Sequence, residues 1–217
     1  MTDPSAKLRV SEIFHSLQGE STRAGLPTVF VRLTGCPLRC TWCDTEYAFS
    51  GGETRTLGDV LIEVAKHGAR QVCVTGGEPL AQKACLPLLA ALCDAGYSVS
   101  LETSGALDIS SVDPRVSRIV DLKAPASGEA DKNLWDNLAH LNAHDEIKIV
   151  LADEADYAWA KSVLAARRLD AICPVLLSPV AGKLDAKRLA EWVLRDKLPV
   201  RVQLQLHKII WGAERGR

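Results

Sequence analysis

Short runs of alternating apolar and polar residues take turns along this chain with runs of helical spacing. Thr28–Thr34 (TVFVRLT) alternates and predicts a strand, which Gly35 ends. From Thr56 to His67, Leu57, Val60, Leu61 and Val64 recur at helical spacing, with Thr56 and Asp59 as a capping pair and Gly68 as a stop. Strand Gln71–Thr75, helix Ala81–Ala95, strand Tyr97–Glu102 and strand Arg118–Lys123 follow. Then come helix Asn133–Leu141, strand Glu146–Leu151, helix Glu154–Arg167, strand Ala171–Leu177, helix Ala186–Arg195 and strand Val200–Leu206. This alternation predicts an α/β protein with a parallel sheet and right-handed crossovers. About six core strands are too few for a closed eight-stranded barrel, so the expected fold is a partial, open TIM-like barrel. No repeat, linker or low-complexity stretch interrupts the series, which reads as a single domain over residues 1–217.

Composition narrows the class without naming a function. A chain of 217 residues that is 47% hydrophobic is long enough for one domain with a real core. No apolar run approaches the ~18 residues of a membrane span, and Met1–Lys7 lacks a signal peptide's apolar centre. No membrane role is therefore expected, and a cytoplasmic location is. The net charge is −1 with no basic stripe, so a nucleic-acid surface is not indicated. Seven cysteines without a secretory signal argue for a reducing compartment over a disulfide framework. Cys73 and Cys173 lie in apolar runs, and Cys85 and Cys93 are spaced to share a helix face. All four read as small buried hydrophobes.

The other three cysteines carry chemistry. Cys36, Cys40 and Cys43 stand in one loop, Cys-Pro-Leu-Arg-Cys-Thr-Trp-Cys, just past the strand Thr28–Thr34. In barrel-like α/β folds, active sites form at the C-terminal ends of strands. Thiolates select iron–sulfur clusters, zinc or cuprous copper. Structural zinc takes four protein ligands, and the closest downstream candidates are only His67 and Cys73. Three thiolates on a four-iron cluster would leave one iron open to a small molecule. Three unpaired surface thiols would instead invite oxidation.

The spacing C-x3-C-x2-C resembles the cluster loop of the radical S-adenosylmethionine (SAM) superfamily, and Trp42 fills a position often aromatic there. The resemblance implies a radical SAM core with a 4Fe–4S cluster whose open iron is chelated by SAM. Electron transfer from the cluster then yields methionine and a 5′-deoxyadenosyl radical. Downstream, strand Gln71–Thr75 runs into Gly76-Gly77-Glu78-Pro79. Two glycines permit close backbone approach and present bare N–H groups, while Pro79 restricts Glu78. The segment matches the superfamily's GGEP element, which holds the SAM amino group. Glu102 and Ser104, in Glu-Thr-Ser-Gly at the end of strand Tyr97–Glu102, offer a carboxylate and a hydroxyl for a ribose. Asp121, Leu122 and Lys123 close the next strand and invite the same argument. Ser178, in Ser178-Pro179-Val180, is a candidate for the adenine.

Further segments narrow the resemblance. Ile13-Phe14-His15-Ser16-Leu17-Gln18-Gly19-Glu20 lies near the start, Cys43-Asp44-Thr45 closes the cluster loop, and Gln203-Leu204-Gln205-Leu206-His207-Lys208 lies near the end. Together these resemble the 7-carboxy-7-deazaguanine synthases of 7-deazapurine (queuosine) biosynthesis, over essentially the whole chain. The resemblance implies ring contraction of 6-carboxy-5,6,7,8-tetrahydropterin with loss of ammonia, and SAM as a renewable cofactor. It places Thr45 as the ligand of a Mg2+ beside the substrate carboxylate, in keeping with a hard cation's preference for oxygen. Leu17, Gln18 and Gly19 would line the pterin, and Arg32 would bind its carboxylate through the planar guanidinium. Thr75 and His207, the latter at the end of a strand, are further substrate contacts. A flavodoxin or ferredoxin is the expected electron donor, and homodimers are the family habit. Asp121-Leu122-Lys123 stands where many members have Ser-Pro-Lys. Two rivals remain: an activase of a glycyl-radical enzyme, which shares the cysteine spacing, and a zinc-binding interaction module.

Overall fold

A computed structural model describes residues 3–212 and 214–216. Its strands are β1 (Lys7–Leu17), β2 (Pro27–Leu33), β3 (Glu53–Thr56), β4 (Gln71–Gly76), β5 (Ser98–Thr103), β6 (Ser117–Lys123), β7 (Glu146–Leu151), β8 (Val175–Pro179) and β9 (Arg201–Val202). They form one sheet in the order β3-β1-β2-β4-β5-β6-β7-β8-β9. From β2 to β9 every pairing is parallel, whereas β1 runs antiparallel to both β2 and β3. Among the described residues no ladder joins β9 to β3, so the barrel stays open, with β2 and β4 to β8 as its parallel body.

Helices α1 (Leu57–Lys66), α2 (Cys85–Asp94), α3 (Glu154–Arg167) and α4 (Ala186–Asp196) supply the crossovers, and a short α5 (Leu206–Trp211) follows β9. Among the described residues, none is long and apolar enough to cross a membrane. The caps are local. Thr56 and Asp59 form a reciprocal capping box on α1. Asp153 and Asp185 accept the first free N–H groups of α3 and α4.

Alternation along the strands divides two environments. Val29, Val31, Leu33, Val72, Val74, Val99, Leu101, Val120, Leu122, Ile147 and Ile149 belong to one apolar core together with helix residues such as Leu88, Leu92, Leu164 and Leu189. The intervening residues Arg32, Thr75, Glu102, Asp121, Lys123 and Lys148 turn to the other face and line a cavity. The loop between β1 and β2 crosses that face and ties strands far apart in the sheet. Gln18 donates to Glu102 on β5 at 3.2 Å, and Glu20 pairs with Lys148 on β7 at 2.7 Å. Thr22 donates from N and Oγ1 to Glu146, while Arg23 reaches Gln71 and Ser98, both at 3.0 Å. These contacts show how far the sheet curls, and they make the loop the cavity's floor.

Several boundaries differ from the sequence reading. The periodicity over Asn133–Leu141 appears as a 3-10 turn at Trp135–His140, and α2 begins at Cys85 rather than Ala81. The strand expected over Ala171–Leu177 lies at Val175–Pro179, because Leu169–Ala171 is still a 3-10 turn. Of Val200–Leu206 only Arg201–Val202 pairs, and Leu206 already opens α5. Strands β1 and β3 had no counterpart. Past Val10 the register of β1 slips, and its residues Glu12 and Phe14 face Arg32 and Phe30, so apolar alternation is lost. Cys73, Cys85 and Cys173 are buried and Cys93 packs half-buried against the core.

Candidate active site

Cys36, Cys40 and Cys43 follow β2 and all line one cavity of about 520 Å³. Gly35 turns the chain there with φ 99° and donates its N–H to Ala48 O at 2.7 Å. The loop is pinned across the barrel mouth: Thr41 N–H donates to Ser127 O at 3.0 Å, and Arg39 Nη1 donates to Cys36 O at 2.8 Å. Burial pushes all three thiols above the ordinary 9.0, with Lys123 acting in the opposite sense. Among the described residues no three His, Cys, Asp or Glu side chains gather tightly enough for a single metal ion. Three thiols opening onto one cavity fit a cluster in which each binds a different iron.

The two glycines at the end of β4, Gly76 in the strand and Gly77 just past it, serve close packing. A Cβ on Gly76 would strike Leu33 O, and one on Gly77 would strike Gly35 O and lie 2.8 Å from Cys36 Cβ. The expectation of bare N–H groups is corrected here. Gly77 N–H donates to Leu33 O at 3.1 Å and Glu78 N–H to Gly35 O at 2.7 Å. An amino group needs acceptors, so the spent donors do not oppose the fit of SAM. Glu78 itself is fully buried and does not line the cavity. Its carboxylate accepts from Thr103 Oγ1, Ser104 N–H, Ser104 Oγ and Leu80 N–H, holding the end of β5 against the end of β4. Leu122 is also corrected: alternation turns it into the apolar core, while Asp121 and Lys123, paired at 3.0 Å, face the cavity. Ser178 lines a second cavity of about 410 Å³, which meets the first at Cys40, Cys43, Asp121, Lys123 and Lys148.

Away from the cysteines the first cavity is walled by the remaining candidates. Thr75 Oγ1 donates to Glu102 Oε2 at 3.0 Å, so Glu102 joins Gln18 and Thr75 in one chain. That puts Glu102 among the substrate candidates as well as beside Ser104. Arg32 Nε donates to Glu12 at 2.7 Å, and its guanidinium lies 5.9 and 5.8 Å from the rings of Phe14 and Tyr47. Tyr47 donates to the same Glu12 oxygen at 2.8 Å. Burial opposes the charge on Arg32, but Tyr47 and Glu12 outweigh it and raise its pKa.

His207 reaches the cavity from α5, not from a strand end, and packs so closely on Gly19 that a Cβ there would lie 2.8 Å from the ring Cγ. Burial lowers its pKa below 6.5, which favours the neutral ring at pH 7. Thr45 Oγ1 donates to Asp44 at 2.9 Å, leaving its lone pairs unspent. Asp44 is held well below the usual carboxylate range: partial burial works against its charge, but Lys208, Thr45 and Gln205 more than offset it. Sequence reasoning missed Glu12, Tyr47 and Lys148. Glu12 and Tyr47 flank the quoted motifs, but only the fold brings them to Arg32.

Comparison with known proteins follows the same lines. Residues 30–123 match the model of the Radical SAM superfamily. The 7-carboxy-7-deazaguanine synthase of Chlorobaculum tepidum is 50% identical over 96% of both chains. That of Koribacter versatilis is 42% identical over 95% of this chain and 98% of its own. The chain belongs to the 7-carboxy-7-deazaguanine synthase family. The crystal structure of QueE from Escherichia coli superposes with a TM-score of 0.78 at 28% identity, covering 93% of this chain and 95% of that one. Membership in this radical SAM family implies a 4Fe–4S cluster and SAM. The three-thiol loop and the paired cavities fit both.

Proposed function

We propose that this chain converts 6-carboxy-5,6,7,8-tetrahydropterin to 7-carboxy-7-deazaguanine with loss of ammonia, acting as one domain in 7-deazapurine biosynthesis. One observation carries the reading: the three cluster cysteines open onto the same cavity as Gln18, Arg32, Thr75, Glu102 and His207. Cys36, Cys40 and Cys43 would hold a 4Fe–4S cluster that, with SAM bound, would supply hydrogen-abstracting radical chemistry at C6 of the pterin.

The chain's own residues bind and orient. Arg32, with Nε spent on Glu12, offers its two terminal nitrogens to the substrate carboxylate. Thr45, whose hydroxyl proton is turned to Asp44, offers oxygen to a Mg2+ at that carboxylate. Glu102, Gln18 and Thr75 present a linked set of donors and acceptors to the polar edge of the pterin, with the backbone of Leu17 and Gly19 below. His207, neutral at pH 7, adds a hydrogen bond from α5. On the cluster side, Gly76, Gly77, Ser104, Asp121 and Lys123 face SAM, and Ser178 faces its adenine across the second cavity. Glu78 acts beneath them by fixing Ser104.

A one-electron donor of the flavodoxin or ferredoxin type, homodimeric assembly and a cytoplasmic setting complete the reading, consistent with seven free cysteines. An activase of a glycyl-radical enzyme is disfavoured, because the relatives named above are synthases along nearly their whole length. The test is an anaerobic incubation of reconstituted protein with SAM, Mg2+, a strong reductant and the carboxypterin, read by mass spectrometry. A 7-carboxy-7-deazaguanine peak that is lost in Cys40→Ala is expected. Release of 5′-deoxyadenosine without that peak would overturn the substrate while keeping the radical chemistry.

A further inference from the structure

Helix α5 buries none of its own residues, and Ile209 and Ile210 on it are exposed. Leu206 and Trp211 are only half-buried, and hydrogen bonds tie the helix to the barrel. Leu206 N–H donates to Gly19 O at 2.9 Å, which joins α5 to the cavity floor. Lys208 Nζ donates to Asp44 Oδ2 at 2.6 Å, and Gln205 Nε2 to the same oxygen at 3.2 Å. The other oxygen of Asp44 accepts the Thr45 hydroxyl. One carboxylate of the cluster loop thus grips the C-terminal helix. Asp44, Gln205 and Lys208 line both cavities, so the grip lies where the two meet. A six-residue helix does not hold itself in water. A half-exposed ion pair shifts an equilibrium only a few-fold, but with no buried apolar residue on α5 to outweigh it, a few-fold decides how often the helix is seated.

We propose that Asp44 and Lys208 form a clasp that seats α5 across the cavity, and that they act on substrate binding through His207, which α5 presses against Gly19. Both are positioning residues for the reaction proposed above, and the inference rests on His207 facing the substrate. Opening the clasp exposes the substrate end of the cavity, and the bond that breaks is to Asp44 rather than to a cluster cysteine.

The test compares wild-type holoenzyme with Lys208→Met, Lys208→Arg and Gln205→Ala. For Lys208→Met, hydrogen exchange across residues 205–212 should quicken, and KM for the carboxypterin should rise about three- to five-fold. Iron content, SAM affinity and kcat at saturating substrate should stay within about two-fold of wild type. Lys208→Arg should restore both exchange and KM, and Gln205→Ala should move both in the same direction by less. Unchanged exchange and KM in Lys208→Met would overturn the clasp, as would a KM that rises only in step with lost iron. If the wild-type enzyme does not turn over the pterin, the functional reading fails while the exchange comparison still judges the clasp.

Discussion

Ser104 gives both its backbone N–H and its hydroxyl to one oxygen of Glu78, each at 2.6 Å. The Ser104 proton is committed beneath the cavity and Ala106 N–H donates to its oxygen at 3.4 Å, so one lone pair is left to accept from a ligand above. A fully buried residue thereby sets how its neighbour at the cavity wall would meet a ligand.

This makes Glu78→Gln informative. The amide keeps the shape but loses the charge that strengthens bonds from Thr103, Ser104 and Leu80. Stability should fall by about 1–3 kcal/mol, read by urea unfolding. SAM affinity, followed anaerobically by calorimetry, should fall with it, although Glu78 lies outside the cavity. Full stability with weakened SAM binding would instead mean direct contact with the cofactor.

Two glycines with opposite surroundings test why the motif after β4 is what it is. Gly77→Ala pushes a methyl toward Gly35 O and Cys36, and backbone cannot yield cheaply, so the cluster loop should shift and iron per chain should drop after reconstitution. Gly58→Ala sits in α1 with its nearest neighbour at 3.5 Å, an ordinary contact. It should hold iron like wild type and gain up to about 1 kcal/mol. Equal iron in both variants would show that the Gly77 packing does not set the loop.

How much of this was legible beforehand follows from where periodicity survives. Strand β7 and helix α3 have the bounds that alternation and helical spacing give, and the Thr56–Asp59 cap forms as written. Those segments face the apolar core, where one-sided burial writes a clean period. Strand β1 was invisible because its second half faces the barrel interior, and there Glu12 is wanted rather than an apolar residue. Leu122 was misplaced because a three-residue motif ignores the two-residue period of the strand carrying it. Lys148 escaped notice because its partner Glu20 is 128 residues away, a relation only the curled sheet creates. Motifs located the cysteines and the cavity's rim, and tertiary contacts supplied the polar wall between them.

The three cluster thiols give a dependence on pH whose sign is fixed by burial. Leaving water penalises the thiolate, so Cys36, Cys40 and Cys43 titrate above 9.0 in the folded apo protein. A folded pKa above the unfolded one means that the fold holds the proton more tightly. The associated stability is intact below pH 9.0 and drains away as pH rises through the folded values. Two outcomes are expected. In apo protein, iodoacetamide should alkylate these cysteines more slowly than free glutathione at pH 8, and unfolding in urea should abolish the difference. Cluster assembly, which needs thiolates and so releases protons, should go further as pH is raised from 7 to 8.5. Alkylation faster than glutathione at pH 7 would mean that Lys123 outweighs burial, and assembly would then be nearly indifferent to pH over that range.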